Sequence, residues 1–120
     1  MPRLLIVDDS AEVAYVLRLC LAEKGWDCEA ADSVGRALRI MDEDHAFDVV
    51  VVDLMLPGEP GMIVLERCRA SSTPAAVFTA LDEQTARKYC PPGIPILTKP
   101  YDLDRLEAVL HRLALRPGRQ

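Results

Sequence analysis

Asp53 closes a near-continuous apolar run, Phe47-Asp48-Val49-Val50-Val51-Val52, and is followed by Leu54-Met55-Leu56 and a Pro57-Gly58 turn. Such a run predicts a strand buried on both faces that delivers one carboxylate to the rim of a parallel sheet. Arg3-Leu4-Leu5-Ile6-Val7 is a second such run, and Asp8-Asp9 follow it directly. Ala75-Ala76-Val77-Phe78 leads into Thr79, and residues 94–98 lead into Lys99-Pro100. Three carboxylates, a hydroxyl and an ammonium thus arrive at four strand ends. Clustered carboxylates with a single lysine leave negative charge uncompensated, which forces protonation unless a cation is present. Mg²⁺ fits this set better than zinc, because it takes oxygen ligands and typically needs one or two carboxylates plus a phosphate. A metal-supported carboxylate is a competent nucleophile on phosphorus and forms an acyl phosphate, with the metal and a lysine neutralising the transferring group.

The elements that must position these groups alternate strand with helix, five of each, as in an α/β domain with helices on both faces of a parallel sheet. Ser10 caps a helix with the stripe Val13, Val16, Leu17, Cys20 and Leu21, ended by Lys24-Gly25. Trp26-Asp27-Cys28-Glu29-Ala30 alternates apolar with acidic residues, as a half-exposed edge strand does. Ser33 caps a second helix with Val34, Ala37, Leu38 and Met41 inward, and residues 61–69 form a third with Met62, Leu65 and Cys68 inward. Residues 82–89 allow only about two turns before Cys90-Pro91-Pro92-Gly93. A last helix from Asp102 carries Leu103, Leu106, Val109, Leu110 and Leu113 inward, leaves Arg105, Glu107, His111 and Arg112 wet, and ends in a frayed tail over residues 116–120. In open α/β sheets ligands bind beyond the carboxyl ends of the strands where strand order reverses. With strand order 2-1-3-4-5, Asp8, Asp9 and Asp53 share one pocket and Thr79 and Lys99 form its far wall.

A chain of 120 residues, half of them apolar, is one ordinary domain. Residues 1–120 are expected to form that domain with no tethered output module. The net charge of −5 and the lack of a Lys/Arg cluster argue against nucleic acid or an anionic membrane as partner. With no signal pattern and no long apolar span, a cytoplasmic location is expected. Cys20, Cys28, Cys68 and Cys90 show no zinc-like spacing and are expected to be reduced packing residues.

Ile6-Val7-Asp8-Asp9, Asp53-Leu54-Met55-Leu56-Pro57-Gly58, Thr79-Ala80 and Lys99-Pro100-Tyr101 together resemble the response regulator receiver domain of bacterial two-component signalling, in its single-domain, chemotaxis-regulator-like form, over essentially the whole chain. The resemblance implies a flavodoxin-like doubly wound fold. It also implies phosphorylation of Asp53 by a histidine kinase or phosphotransfer protein, and Mg²⁺ held by Asp8, Asp9, Asp53 and the backbone carbonyl of Met55. By the same analogy Thr79 senses the phosphoryl group, Ala80 leaves room for it and offers its amide, Lys99 pairs with it, and the Lys99-Pro100 bond is often cis. A separate downstream effector protein is the implied target, and a homodimer is compatible with it, though no dimer mode carries over. Two departures stand out. Ile96 occupies the position three before the lysine where an aromatic is common, and the fourth helix is short, so the usual threonine–aromatic switch and the output face are both altered.

Taken singly, Asp8-Asp9 is a helix N-terminal signal, Asp53 a turn former, Lys99 a solvated surface residue and Thr79 a strand residue satisfying a backbone group. Their joint arrival at four strand ends favours the chemical reading. His45 and His111 are expected at the surface. Met55 and Leu81 are expected to flank an acyl phosphate and slow attack by water. A pseudo-receiver acting as a constitutive interaction module remains an alternative. A phosphatase-type enzyme with an aspartyl-phosphate intermediate is disfavoured, because it wants an acid where Met55 stands; the chain is therefore read as a signalling domain rather than an enzyme.

Overall fold

A computed structural model describes residues 2–44, 46–99 and 103–115. His45, the Pro100-Tyr101 part of the lysine motif, Asp102 and the tail from Arg116 lie outside the described residues. Strands β1 (Arg3–Val7), β2 (Asp27–Ala31), β3 (Val49–Val52), β4 (Ala75–Thr79) and β5 (Ile96–Thr98) alternate with helices α1 (Ala11–Glu23), α2 (Val34–Glu43), α3 (Met62–Ala70), α4 (Glu83–Arg87) and α5 (Leu103–Ala114). The strands form one parallel sheet in the order β2-β1-β3-β4-β5, as expected.

Strand alternation divides the core into two layers. Leu5, Val7, Val50, Val52 and Val77 face α2, α3 and α4, where they meet Val34, Ala37, Met41, Val64, Leu65 and Ala86. Leu4, Ile6, Val49, Val51, Ala76 and Phe78 face α1 and α5 and meet Ala14, Leu17, Leu21, Leu106 and Leu110. Both faces of β1 and β3 are therefore covered, which is why these strands read as unbroken apolar runs. Ser10, Ser33 and Asp82 cap α1, α2 and α4 by accepting from the amides of Val13, Arg36 and Thr85.

Several elements differ from the sequence expectation. β2 begins at Asp27 rather than Trp26, because α1 ends in a Schellman closure: Trp26 N–H donates to Leu21 O at 3.0 Å and Gly25 N–H to Ala22 O at 3.1 Å. Gly25 takes φ +93°, and Trp26, its amide already committed, is buried at 1% exposure. β5 starts at Ile96 and not at residue 94, since Pro95 has no N–H to donate. Ala14 and Val64 are core residues outside the expected stripes, while Val13, Val16 and Cys20 are only half-buried. α4 is shorter still than the expected two turns. His111 and Glu107 are half-buried rather than wet. The His111 ring lies 5.1 Å from that of Trp26 and its Nε2 lies 3.0 Å from Glu107 Oε2, because the end of α1 packs beside α5. All four cysteines are free, with Cys68 and Cys90 buried. Among the described residues no helix is long and apolar enough to cross a membrane.

Candidate functional site

Each strand end at the carboxyl rim is tied into the ladder before its side chain is used. Asp8 N–H donates to Ala31 O at 3.0 Å, Asp53 N–H to Val7 O at 2.9 Å, and Lys99 N–H to Thr79 O at 2.7 Å. The side chains then repeat one local device. Asp8 Oδ1 accepts from Ser10 N–H at 2.9 Å, Asp53 Oδ1 from Met55 N–H at 2.9 Å, and Thr79 Oγ1 from Leu81 N–H at 3.2 Å. These i→i+2 turns fix a side-chain oxygen against its own loop and leave the second carboxylate oxygen of each aspartate free to point across the rim.

Those second oxygens converge on one cation. Lys99 Nζ lies 3.0 Å from Asp8 Oδ2 and 3.2 Å from Asp53 Oδ2, and it sits 5.4 Å from the centre of the Phe78 ring. The Asp8 and Asp53 side chains are only 3% and 8% exposed. Burial pulls the Lys99 pKa down, but its hydrogen bond to Asp8 and the charges of Asp53 and Asp8 outweigh this and leave it above the ordinary lysine value. Lys99 therefore stays an ammonium throughout the neutral range.

Asp9, exposed, completes the cluster: one carboxylate oxygen from each of Asp8, Asp9 and Asp53 lies within 4.8 Å of the others. Three carboxylates against one ammonium leave two negative charges uncompensated, two of the acids being buried. An all-oxygen set with that deficit, open on the Asp9 side, fits a hard divalent cation.

The remaining predicted residues are less direct. Thr79 is fully buried, and its hydroxyl oxygen accepts from the Leu81 amide, as a strand threonine satisfying a backbone group does. Ala80 is exposed on the rim beside it. Met55 meets Asp53 through its amide, while its side chain is 60% exposed and lines a groove with Leu81 and Tyr89. Ile96, on the edge strand β5, is buried in the core layer beneath α3 and α4, an aliphatic side chain at the position three before the lysine. Sequence reasoning missed Ser10 as the residue whose amide holds Asp8, and Phe78 beneath Lys99. The first was legible as an Asp-x-Ser start of a helix; the second depends on the strand pairing.

Residues 4–111 match the response regulator receiver domain family. The chain is 34% identical over 118 residues to the transcriptional regulatory protein TrcR of Mycobacterium tuberculosis, covering 95% of this chain and 46% of that protein. It thus spans about half the length of the curated relatives it matches. Among solved structures, the receiver domain of the Francisella response regulator 1452 superposes with a TM-score of 0.82 at 28% identity, covering 95% of this chain and 97% of that one. The response regulator TrrA of Thermotoga maritima, solved in complex with Mg²⁺ and BeF, shares the fold with a TM-score of 0.81 at 23% identity, covering 94% and 99%. By fold, by rim geometry and by these matches, the chain belongs to the response regulator receiver domain family.

Proposed function

We propose that this receiver accepts a phosphoryl group on Asp53 from a phosphohistidine of a histidine kinase or phosphotransfer protein, and that the modified rim changes the affinity of the domain for a separate effector protein. One observation carries the reading. The Asp53 carboxylate is buried, pinned by the Met55 amide through one oxygen and by Lys99 through the other, beside two further carboxylates. A nucleophile held in this way is already oriented, so the barrier that remains is set mainly by charge repulsion with the incoming phosphoryl group.

Asp8, Asp9, Asp53 and the Met55 carbonyl would hold Mg²⁺. When bound, the ion neutralises the acids and the oxygens of the transferring group. Asp53 forms the new O–P bond as the donor's P–N bond breaks, and the electron pair leaves with the imidazole. Lys99 is close enough to turn from Asp8 and Asp53 to the new phosphoryl oxygens. Thr79 would exchange its bond with the Leu81 amide for one to the phosphoryl group, shifting the loop after β4; phosphorylation moves a two-state equilibrium only through such differential contacts. Met55 and Leu81 flank the position and would restrict attack by water.

Incubation with Mg²⁺ and acetyl phosphate should add one phosphate by intact mass, and Asp53→Asn should abolish the addition. A second reading has its own support: with Ile96 buried and the Thr79 hydroxyl oxygen engaged by the Leu81 amide, the domain would serve as a constitutive interaction module. No mass increase in the parent protein would favour that reading over the first.

A further inference from the structure

The first turn of α3 rests on the backbone of the acceptor strand, and it can do so only because residue 61 has no side chain. A Cβ there would lie 2.6 Å from the carbonyl oxygen of Asp53, 3.1 Å from Val52 Cγ1 and 3.2 Å from Leu54 Cα. We infer that Gly61 is a positioning residue for Asp53, its bare Cα setting how far the carboxylate stands out toward Asp8 and Asp9. The inference deepens the proposed role of Asp53 and rests on it.

Gly61 is not required for its dihedrals. Its φ of −59° and ψ of −21° are ordinary helical values open to any residue. Gly25, Gly58 and Gly93 are the reverse case, with positive φ and open space around them. At Gly61 only room is at stake, and two of the three neighbours are backbone, which cannot rotate aside.

α3 has little freedom to retreat. Gly61 O accepts from Val64 N–H at 3.0 Å and from Leu65 N–H at 3.2 Å, and Val64 and Leu65 are fully buried. Gly61 is thus bound into the first turn, and moving that turn outward would uncover both residues. The lower-energy response to a methyl group is displacement of the Asp53–Leu54 peptide by roughly half an ångström, enough to relieve a sub-van-der-Waals carbon–oxygen contact. That displacement passes to the Met55 amide bond and to the spacing of the three carboxylates. A misplacement on the order of 1 Å can cost about 10²-fold in rate.

The test compares Gly61→Ala with Gly35→Ala, a glycine in α2 with nothing within 4 Å of a built Cβ. Three quantities are read on the fully folded protein: the Mg²⁺ dissociation constant, the initial rate of phosphoryl uptake from acetyl phosphate, and the amide proton shift of Met55. Gly61→Ala should slow uptake roughly 10-fold or more, weaken Mg²⁺ binding and move the Met55 resonance, while Gly35→Ala leaves all three at parent values. Adding Val52→Ala to Gly61→Ala should not restore them, because the tightest contact is to backbone. A Gly61→Ala protein that unfolds earlier yet keeps the parent Mg²⁺ affinity, rate and Met55 shift would overturn the inference, as would restoration by Val52→Ala. If Gly61→Ala is not folded in buffer, the same readings are taken with trimethylamine N-oxide raised until its circular dichroism matches the parent. If the parent itself takes up no phosphate, the proposed function fails, and Mg²⁺ affinity with the Met55 shift still decides whether Gly61 positions Asp53.

Discussion

Both rims of the sheet gather carboxylates around one basic residue, but they do so in opposite ways. At the amino rim Arg3 pairs with Asp44, lies 3.3 Å from Asp27 and 3.5 Å from Glu29, covers the Phe47 ring at 4.6 Å, and donates its backbone amide to Asp48 at 2.7 Å. The acids around its guanidinium are from about a third to somewhat over half exposed, and the guanidinium meets them with a planar fork of fixed donors. Its pKa is raised, with the Asp44 hydrogen bond the largest cause. This rim is a clamp joining β1, β2 and the segment between α2 and β3. At the carboxyl rim two of the three acids are buried, and their partner is a compact ammonium on a flexible stem that can change partners. Clustered acids and a charge deficit are common to both rims; burial of the acids and a movable counter-charge set the carboxyl rim apart.

Substitution of the two cations should separate the rims most strongly. Lys99→Ala should lower phosphoryl uptake by about 100-fold, the loss usual when a preorganised charge on a transition state is removed, with a much smaller effect on Mg²⁺ affinity. Arg3→Ala should leave uptake within about 2-fold while lowering unfolding free energy by about 1–2 kcal/mol through lost pairing and packing on Phe47. Equal effects of the two variants on uptake rate would erase the distinction.

A smaller effect distinguishes the rim from the core in alkali. Burial pushes the Cys68 thiol up to about 12 and the Cys28 thiol up to about 11, and Lys99 is also raised. For all three the folded pKa exceeds the unfolded one, so the folded state holds its proton longer and stability falls as pH rises past the unfolded value. These groups contribute no pH dependence below about pH 8 and a decline between about pH 9 and 12. Cys68→Ala should flatten that decline by up to about 1.4 kcal/mol per pH unit, as read from denaturant unfolding at successive pH values. Lys99→Ala should flatten only its upper part. An unchanged slope in Cys68→Ala would show that its burial does not govern alkaline stability.

The sheet and the rim residues were legible because a strand covered on both faces must be continuously apolar, so the polar residues that end each run fall at the rim by construction. Asp8, Asp53 and Lys99 meet as that logic requires. What was hidden depended on contacts distant in sequence or on local hydrogen bonds. Trp26 left the strand because the end of α1 used its amide, and His111 left the wet face because α1 and α5 meet near it. The direction of the Thr79 hydroxyl was set by the Leu81 amide, a choice the sequence expresses only as a residue type. Gly61 looked like a helix start, and nothing in its neighbours along the chain announces the Asp53 carbonyl above it.

The central claim is that Asp8, Asp9 and Asp53 act as one divalent-ion site. Titration calorimetry of Mg²⁺ into the parent protein and into Asp9→Asn, the exposed member least able to disturb the core, tests it most directly. The account predicts one site in the parent and at least a 10-fold weaker constant in the variant, in line with the loss of a charged ligand. Binding to the variant with the parent constant, or no binding to the parent, would contradict it.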